Sequence, residues 1–246
     1  MAAEGHHSPL EQFKIIELVP IKIGAIDASF TNASLFMVIA VAAATIFLTL
    51  SVSPRSLVPG RWQSLAEMSY QFIANLVRDN VGSEGRKYFP FIFTLFMFIL
   101  FCNLIGMVPF AFTVTSHIIV TLALALVVFI GVTVIGIAKN GVKFLHLFCP
   151  AGVPLFVLPL LIPIEIISYF VRPVSLSVRL FLNMMVGHTM LKVFAGFVVL
   201  LGIWGVAPLI FIAVFIGFEI FVALLQAYIF TVLSCLYLHD ALHPQH

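Results

Sequence analysis

Charge is the scarcest property of this sequence. Of its 246 residues only 9% are charged, with 12 lysines and arginines against 10 aspartates and glutamates, whereas 62% are hydrophobic. A soluble domain carries roughly 25% charged residues, so a chain this apolar cannot cover its own surface with polar groups. We therefore expect lipid to be its solvent. The net charge of +2 is too small to indicate nucleic-acid binding.

Cysteine is also scarce, and its three positions are far apart: Cys102, Cys149 and Cys235. An odd number without a C-x-x-C pair indicates neither a disulfide framework nor a zinc site, so we interpret all three as small hydrophobic residues of apolar helices. The histidines near chain ends and loops are interpreted as solvated residues, and we predict no metal site and no cofactor. This group comprises His146, His239, His243 and His246.

The N-terminal segment lacks the pattern of a targeting sequence. Residues 1–7 are polar, without a basic region followed by an apolar core or the arginine-rich character of a transit peptide. Residues 8–22 form a short amphipathic pattern that suits a membrane surface. We treat residues 1–27 as an N-terminal tail. The missing transit peptide favours a bacterial cell inner membrane, with the mitochondrial inner membrane as the alternative for an organelle-encoded chain.

Long apolar runs dominate the rest of the chain and predict an all-α polytopic membrane protein. About 20 apolar residues are needed for each crossing. On that measure we predict five transmembrane helices, at 33–52, 88–111, 117–138, 151–195 and 207–238. Residues 60–82 are charged but carry apolar residues at helical spacing, which predicts an interfacial amphipathic helix that braces the membrane or a peripheral stator subunit.

Lysine and arginine counts orient this arrangement. With five spans, the loops 55–87 and 139–143 fall on the same side and hold most of the basic residues: Arg55, Arg61, Arg78, Arg86, Lys87, Lys139 and Lys143. The other side has only Lys14 and Lys22 in its tail. Because basic residues accumulate on the cytoplasmic side, we expect the N-terminus outside and the C-terminus in the cytoplasm or matrix.

Charges within the last two apolar runs are the main functional signal. A charged side chain at the bilayer centre costs at least about 2.5–3.5 kcal/mol on insertion scales. Glu165, Arg172 and Arg179 are each seven residues apart, which places them on one helical face. Glu219 and Gln226 have the same spacing in the last helix. Such residues must face water, a partner charge or both. Four prolines at 150–163 are expected to bend or delay the first of these helices.

An antiparallel hairpin of these two helices would order the polar groups by depth. His188 and Glu219 then fall toward the outer side. Arg179 and Gln226 lie near the middle, and Glu165 lies toward the inner side. A histidine beside a carboxylate can take up and release protons near neutral pH, whereas an arginine guanidinium keeps its proton. The order predicts two half-paths for protons with a barrier between them.

The sequence around Arg179 also resembles a known family. Residues 173–188 read P-V-S-L-S-V-R-L-F-L-N-M-M-V-G-H, which is similar to the pattern P-V-S-L-x-x-R-L-x-x-N-M-x-x-G of subunit a of the rotary, F-type ATP synthases. The N-L-I-G-M-V-P segment at 103–109 and the pair Glu219 and Gln226 also look like this family. The resemblance covers essentially the whole chain.

This resemblance implies a function and a role for each polar residue. The essential arginine of the family falls on Arg179, and the other family positions fall on Asn183, His188, Glu219, Gln226 and, for the opposite half-channel, Glu165. The chain would be the proton-channel stator subunit. Its two offset half-channels would pass protons to and from carboxylates of the rotating c-ring, with peripheral stalk b-type subunits as further partners. It has no G-x-x-x-x-G-K-[ST] loop, so it is not the nucleotide-hydrolysing part.

Some interpretations stay open at this stage. Arg172 has three open interpretations: it lines the inner path, it pairs with Glu165, or it reaches a lipid phosphate. His117 and Asn103 either border the outer aqueous path or cap a loop, and Lys192 is expected to extend to the outer headgroups. Two other function classes also stay open. A transporter or channel acting alone often shows inverted repeats, and this sequence has none, whereas a purely structural subunit has no use for charges at membrane depth.

Overall fold

The computed structural model describes residues 15–20, 22–23, 26–27, 29–52, 60–108, 111–141, 144 and 156–243. Over these residues the chain is built from six α-helices. They are α1 (Asn32–Val52), α2 (Arg61–Val81), α3 (Phe89–Gly106), α4 (Ile118–Asn140), α5 (Leu158–Leu201) and α6 (Val206–Leu242). Short 3-10 turns occupy Ser83–Lys87, Val114–Ser116 and Gly202–Gly205. The predicted all-α class is confirmed.

Among the described residues, the strands all lie in the segment before α1. Glu17–Val19 (β1) pairs antiparallel with Phe30–Thr31 (β4), and Lys22–Ile23 (β2) pairs antiparallel with Ile26–Asp27 (β3). The described end of the amphipathic 8–22 segment is therefore a strand. Val19 precedes Pro20, and a residue before proline is disfavoured in the α conformation. Residues 8–14 lie outside the described residues.

Within the described part of the chain, four helical segments are long and apolar enough to cross a membrane: Asn32–Val52, Phe89–Gly106, Ile118–Asn140 and Leu158–Leu242. The last one contains both α5 and α6, joined through the 3-10 turn at Gly202–Gly205. At 1.5 Å per residue the 44 residues of α5 extend about 66 Å, roughly twice the hydrocarbon thickness. A helix this long must be strongly tilted to stay within a bilayer.

The ends of α5 and α6 differ from the sequence prediction. α5 begins at Leu158 with a proline in its first turn, where the missing N–H costs nothing, but Pro163 lies inside the helix. The prolines were expected to bend or delay this helix, and the described residues show their effect only in the helix start at Leu158. Pro150 and Pro154 lie outside the described residues. α6 runs to Leu242, four residues further than predicted. His239 is therefore in its last turn and not in a tail, its side chain is exposed as expected, and its ring lies 5.0 Å from that of His243.

The buried core lies where α2, α3 and α4 pack against one side of α5 and α6. Its large, fully covered side chains come from all five helices: Ile73, Ile92, Ile99, Val128, Leu176, Leu180, Phe230 and Leu238. Cys102 and Cys235 are buried in these helices as free thiols, as small hydrophobic residues would be, and Cys149 lies outside the described residues. The core thus holds α5 and α6 from one side only.

The opposite side of the hairpin is an uncovered apolar face. Large hydrophobic side chains are exposed along both helices, among them Leu160, Ile167, Phe170, Val174, Leu182, Val186, Ile210, Val214, Phe218 and Phe221. Contiguous exposed apolar surface of this extent is characteristic of contact with lipid or with a protein partner. We call this surface of α5 and α6 the open face.

Close packing of α4 against the end of α6 depends on a glycine. A methyl group at Gly136 would lie 2.6 Å from the Phe144 ring and 3.1 Å from Ala241 Cβ, so neighbours would have to move. We expect Gly136→Ala to destabilise the purified protein by about 1–3 kcal/mol, the usual cost of overpacking. A lower thermal unfolding midpoint would show this.

Gly131→Ala is the matched control, because Gly131 lies in the same helix and a methyl group there meets nothing within 4 Å. Replacing a helical glycine by alanine stabilises by roughly 0.5–1 kcal/mol. Equal midpoints for the two variants would show that α4 and α6 are not packed as described.

Candidate functional site

Arg179 lies on the open face of α5. Its side chain is exposed, and its neighbours one and two turns along the same face, Leu182 and Val186, are exposed hydrophobic residues. Among the described residues no carboxylate forms an ion pair with Arg179. A permanent cation on an apolar surface at membrane depth needs a partner charge or water. The geometry therefore presents Arg179 to whatever covers this face.

One helical turn beyond Arg179, two amides join α5 to α6. The Asn183 Nδ2–H donates to Gln226 Oε1 at 2.7 Å. Gln226 is completely buried, and its own Nε2 finds no acceptor among the described residues. The sequence placed Gln226 level with Arg179, and the structure places it opposite Asn183, within one turn of that position. The amide pair fixes the register of the hairpin beside the cation.

His188 of α5 and Glu219 of α6 face each other further along the hairpin. His188 Nδ1 lies 3.9 Å from Glu219 Oε1, and both side chains are nearly buried. This separation exceeds a hydrogen bond. Gly187 allows the close approach, because a side-chain carbon at that position would overlap the Glu219 carboxylate. The histidine and the acid form a protonatable pair within the protein.

A segment between α3 and α4 completes this buried polar region. Thr113, Thr115 and Ser116 are almost entirely buried, and the Thr113 hydroxyl lies 3.1 Å from His188 Nε2. Thr113 was not predicted as a site residue from the sequence. The available signal was the run T-V-T-S-H between two apolar stretches, which contains no Gly, Pro or charge of the kind that marks a surface loop.

Asn103 and His117 take positions that the sequence left open. Asn103 lies inside α3 and is fully buried, and its Nδ2 donates to the backbone carbonyl of Ala223 in α6 at 3.3 Å. It ties α3 to α6 one turn from Glu219. His117 is the N-cap residue of α4, and its ring stacks on Phe112 at 5.0 Å. Both residues lie at helix ends: the Asn103 carbonyl accepts the backbone N–H of Met107, the C-cap residue of α3, and the His117 side chain makes no capping hydrogen bond.

Arg172 pairs with a residue that the sequence analysis missed. Its Nη1 lies 2.9 Å from Asp240 Oδ2, and its guanidinium lies 5.9 Å and 5.2 Å from the ring centres of Tyr169 and Tyr237. Of the three interpretations left open for Arg172, pairing with Glu165 is wrong. Asp240 was overlooked because α6 was predicted to end at 238. The pair and the two aromatic rings hold α5 to the end of α6.

Glu165 is half-buried in α5, and it forms no ion pair with any described residue. It lies 14 residues before Arg179, about 21 Å along the helix. His188 lies nine residues beyond Arg179 in the other direction, about 13 Å away. Along α5 Arg179 thus stands between two separate groups that can carry a proton.

An open groove connects the acid–histidine pair with the face that carries Arg179. It has a volume of about 300 Å³ and is lined by Leu182, Asn183, Val186, Gly187, Phe215, Phe218, Glu219 and Val222. Its polar lining groups are the Glu219 carboxylate at its base and the Asn183 amide, one turn from Arg179. The groove therefore connects the Glu219 carboxylate with the open face next to Arg179.

Comparisons with known proteins agree with this arrangement. The family "ATP synthase A chain" matches residues 34–239. Proteins named ATP synthase subunit a are 60% identical in Paramagnetospirillum magneticum, over 96% of this chain and 98% of the relative, and 58% identical in Parvibaculum lavamentivorans, over 97% and 94%. The relative in Pelagibacter ubique is 56% identical over 97% of this chain and 99% of its own length. The chain therefore belongs to the ATP synthase A chain family.

Proposed function

We propose that this chain is the proton-conducting stator subunit of an ATP synthase, with two offset half-channels that pass protons to and from the carboxylates of a rotating c-ring. The observation that carries the proposal is the position of Arg179. It is a cation without an ion pair among the described residues, on an uncovered apolar face, between a buried acid–histidine pair and a separate carboxylate. On this proposal the chain has no catalytic activity of its own and couples proton flow to ATP synthesis elsewhere in the complex.

The outer half-channel runs through the His188–Glu219 pair. Both groups can bind and release a proton, and they belong to different helices of the hairpin. Glu219 lies at the base of the groove that opens to Arg179's face. A proton that arrives at the pair can thus be transferred from Glu219 across the groove to a ring carboxylate docked on that face.

Arg179 acts as the electrostatic barrier between the half-channels. Opposite charges attract strongly in a medium of low dielectric constant, so a ring carboxylate that passes the guanidinium gives up its proton. The guanidinium cannot carry the proton onward, because it does not deprotonate in proteins. Asn183 and Gln226 fix the backbone around it. Protons must therefore travel with the ring from one half-channel to the other.

The inner half-channel contains Glu165, on the other side of Arg179 along α5. Arg172 lies between these two positions in sequence, and its ion pair with Asp240 anchors α5 to the end of α6. We assign Glu165 to proton release and Arg172 to holding the hairpin together. Each elementary charge that crosses 100 mV releases about 2.3 kcal/mol, so several protons must pass for each ATP.

The open face of α5 and α6 is the contact surface for the c-ring, and peripheral stalk b-type subunits hold the chain in place. Its relatives are bacterial, and its long apolar helices fit a bacterial inner membrane. We place the N-terminus outside and the C-terminus in the cytoplasm, on the basis of the basic loops. A transporter acting alone would have no reason to leave the Arg179 cation on an uncovered face.

Removal of the barrier charge tests the proposal directly. We expect Arg179→Ala to abolish proton-coupled ATP synthesis and ATP-driven proton pumping in membrane vesicles, while native gels show a fully assembled complex. Arg78→Ala is the control, because Arg78 is an exposed arginine of α2 whose nearest ion-pair partner, Asp79, is 3.7 Å away. Normal pumping by the Arg179 variant would exclude the proposed role.

Exchange of the protonatable pair tests whether His188 and Glu219 act together. The double variant with His188→Glu and Glu219→His keeps both groups on facing helices at the same depth. We expect it to pump protons faster than His188→Ala or Glu219→Ala alone. A double variant as inactive as both single alanine variants would remove the support for a functional pair.

The glycine beside the pair tests the position of the carboxylate without altering any titratable group. In Gly187→Ala the added methyl group must displace the Glu219 side chain. We expect slower proton pumping at a nearly unchanged thermal midpoint, since the end of a flexible side chain can move at little cost. Gly196→Ala is the control in the same helix, where a methyl group meets nothing within 4 Å. Equal pumping rates in both variants would contradict the prediction.

A further inference from the structure

The hydroxyl group of Thr113 touches two groups of different chemistry. It lies 3.2 Å from the backbone carbonyl oxygen of Gly106, to which it donates, and 3.1 Å from His188 Nε2. Thr113 is 4% exposed, and Gly106 is buried as well. Water therefore does not compete freely for these contacts. The protons of both hydrogen bonds must come from the Thr113 hydroxyl and the His188 imidazole, because the Gly106 carbonyl has none to donate.

Only one assignment of protons makes both hydrogen bonds. A threonine hydroxyl has a single proton, and a carbonyl oxygen can only accept. The Thr113 proton therefore points to Gly106, and the Thr113 oxygen must accept from His188. This requires a proton on Nε2 of the neutral imidazole, which leaves the Nδ1 lone pair free.

The free lone pair points toward the acid. Nδ1 is the ring nitrogen that lies 3.9 Å from Glu219 Oε1. Neither carboxylate oxygen of Glu219 accepts a hydrogen bond from the described residues. The other charged group near His188 is Lys192, one turn further along α5. Among the described residues, Glu219 is thus the carboxyl group beside Nδ1, and direct proton transfer requires the two groups to approach to hydrogen-bond distance.

The chain of hydrogen bonds on the Nε2 side has a closed end. It runs from Nε2–H to the Thr113 oxygen and from the Thr113 hydroxyl to the carbonyl of Gly106, which does not take up a proton at physiological pH. A proton that enters at Nδ1 cannot leave through Nε2 by this route. The imidazole must return it at Nδ1.

The surroundings of Thr113 are built to hold this geometry. The Ser116 hydroxyl donates to the Thr113 carbonyl at 2.6 Å, within the 3-10 turn that follows. Gly106 has no side chain, and a methyl group there would lie 2.8 Å from Thr113 Cγ2. Both features fix the Thr113 hydroxyl between α3 and α5.

We propose that Thr113 is a positioning residue that holds neutral His188 as the Nε2–H tautomer, so that the imidazole exchanges protons only through Nδ1, on the Glu219 side. The exchange balances simply: the carboxylic acid O–H of Glu219 gives its proton to the Nδ1 lone pair, which leaves a carboxylate and an imidazolium, and the reverse step restores both. The inference rests on the proposed function of the His188–Glu219 pair. It makes His188 a one-sided proton store for Glu219 and excludes the passage of protons through the ring.

The tautomer can be observed in the intact ATP synthase. We would label the histidines of the complex with ¹⁵N, reconstitute it in lipid bilayers and record solid-state NMR spectra at a pH where His188 is neutral. The His188 signals are those missing from the His188→Gln complex. We expect the Nε2–H tautomer in the wild type and in Thr113→Ser, and a mixture or the Nδ1–H tautomer in Thr113→Val.

Two further variants separate this effect from general disturbance. Thr121→Val removes a hydroxyl that is equally buried and bonded to Ser177 at 3.1 Å, and it should keep the Nε2–H tautomer. Gly106→Ala displaces Thr113 and should resemble Thr113→Val. In both Thr113→Val and Gly106→Ala we expect proton pumping to fall about fivefold, the effect of losing one hydrogen bond, with an altered pH profile.

The outcomes are distinguishable. An Nδ1–H tautomer in the wild type, or a spectrum unchanged by Thr113→Val, would overturn the inference even if pumping depends on His188. If His188→Gln pumps normally, the proposed role of the acid–histidine pair fails, whichever tautomer is found. A tautomer that changes in Thr113→Val and stays in Thr113→Ser and Thr121→Val supports the inference.

Discussion

The cost of placing charge in a low-dielectric environment determines most of this structure. A chain with so few charges has several of them in its last two helices, where each must have a partner or face water. Arg172 meets Asp240, and His188 meets Glu219 and Thr113. Arg179 is exposed on the open face and has no ion pair with any described residue. The surrounding helices pack so that this cation stays available while Glu219, Gln226 and Thr113 are buried.

Buried polar contacts also explain how six helices hold a precise site with few ion pairs. Asn103 ties α3 to α6, Asn183 ties α5 to Gln226, and Thr113 reaches His188 from the connection between α3 and α4. Hydrogen bonds of this kind between membrane helices contribute only about 0.6 kcal/mol each on average. Their main effect here is on orientation, because each one fixes the direction in which a functional side chain points.

Sequence reasoning found the groups that follow helical spacing. The seven-residue spacing of the charges led to Arg179 and Glu219, and the apolar runs predicted the helices. The misses have a common cause, since they depend on where a helix ends or how a connection folds. Asp240 was missed because α6 continues past the predicted end. Since Asp240 was not part of the predicted helix, the ion-pair partner of Arg172 could not be identified from the sequence. Thr113 lies in the connection between α3 and α4, which folds into the protein interior. No periodic pattern in the sequence predicts the burial of such a connection.

The length of α5 has a mechanical consequence. Glu165 and His188 lie 23 residues apart on one uninterrupted helix, a separation of about 35 Å. Both are carried by the same rod, and Arg179 is fixed between them. On the proposed function, a force on the open face that moves α5 acts on all three residues through one helix, in which Pro173 removes one backbone hydrogen bond between Glu165 and Arg179. The alignment of the proposed proton path with the ring therefore depends on the position of this single helix.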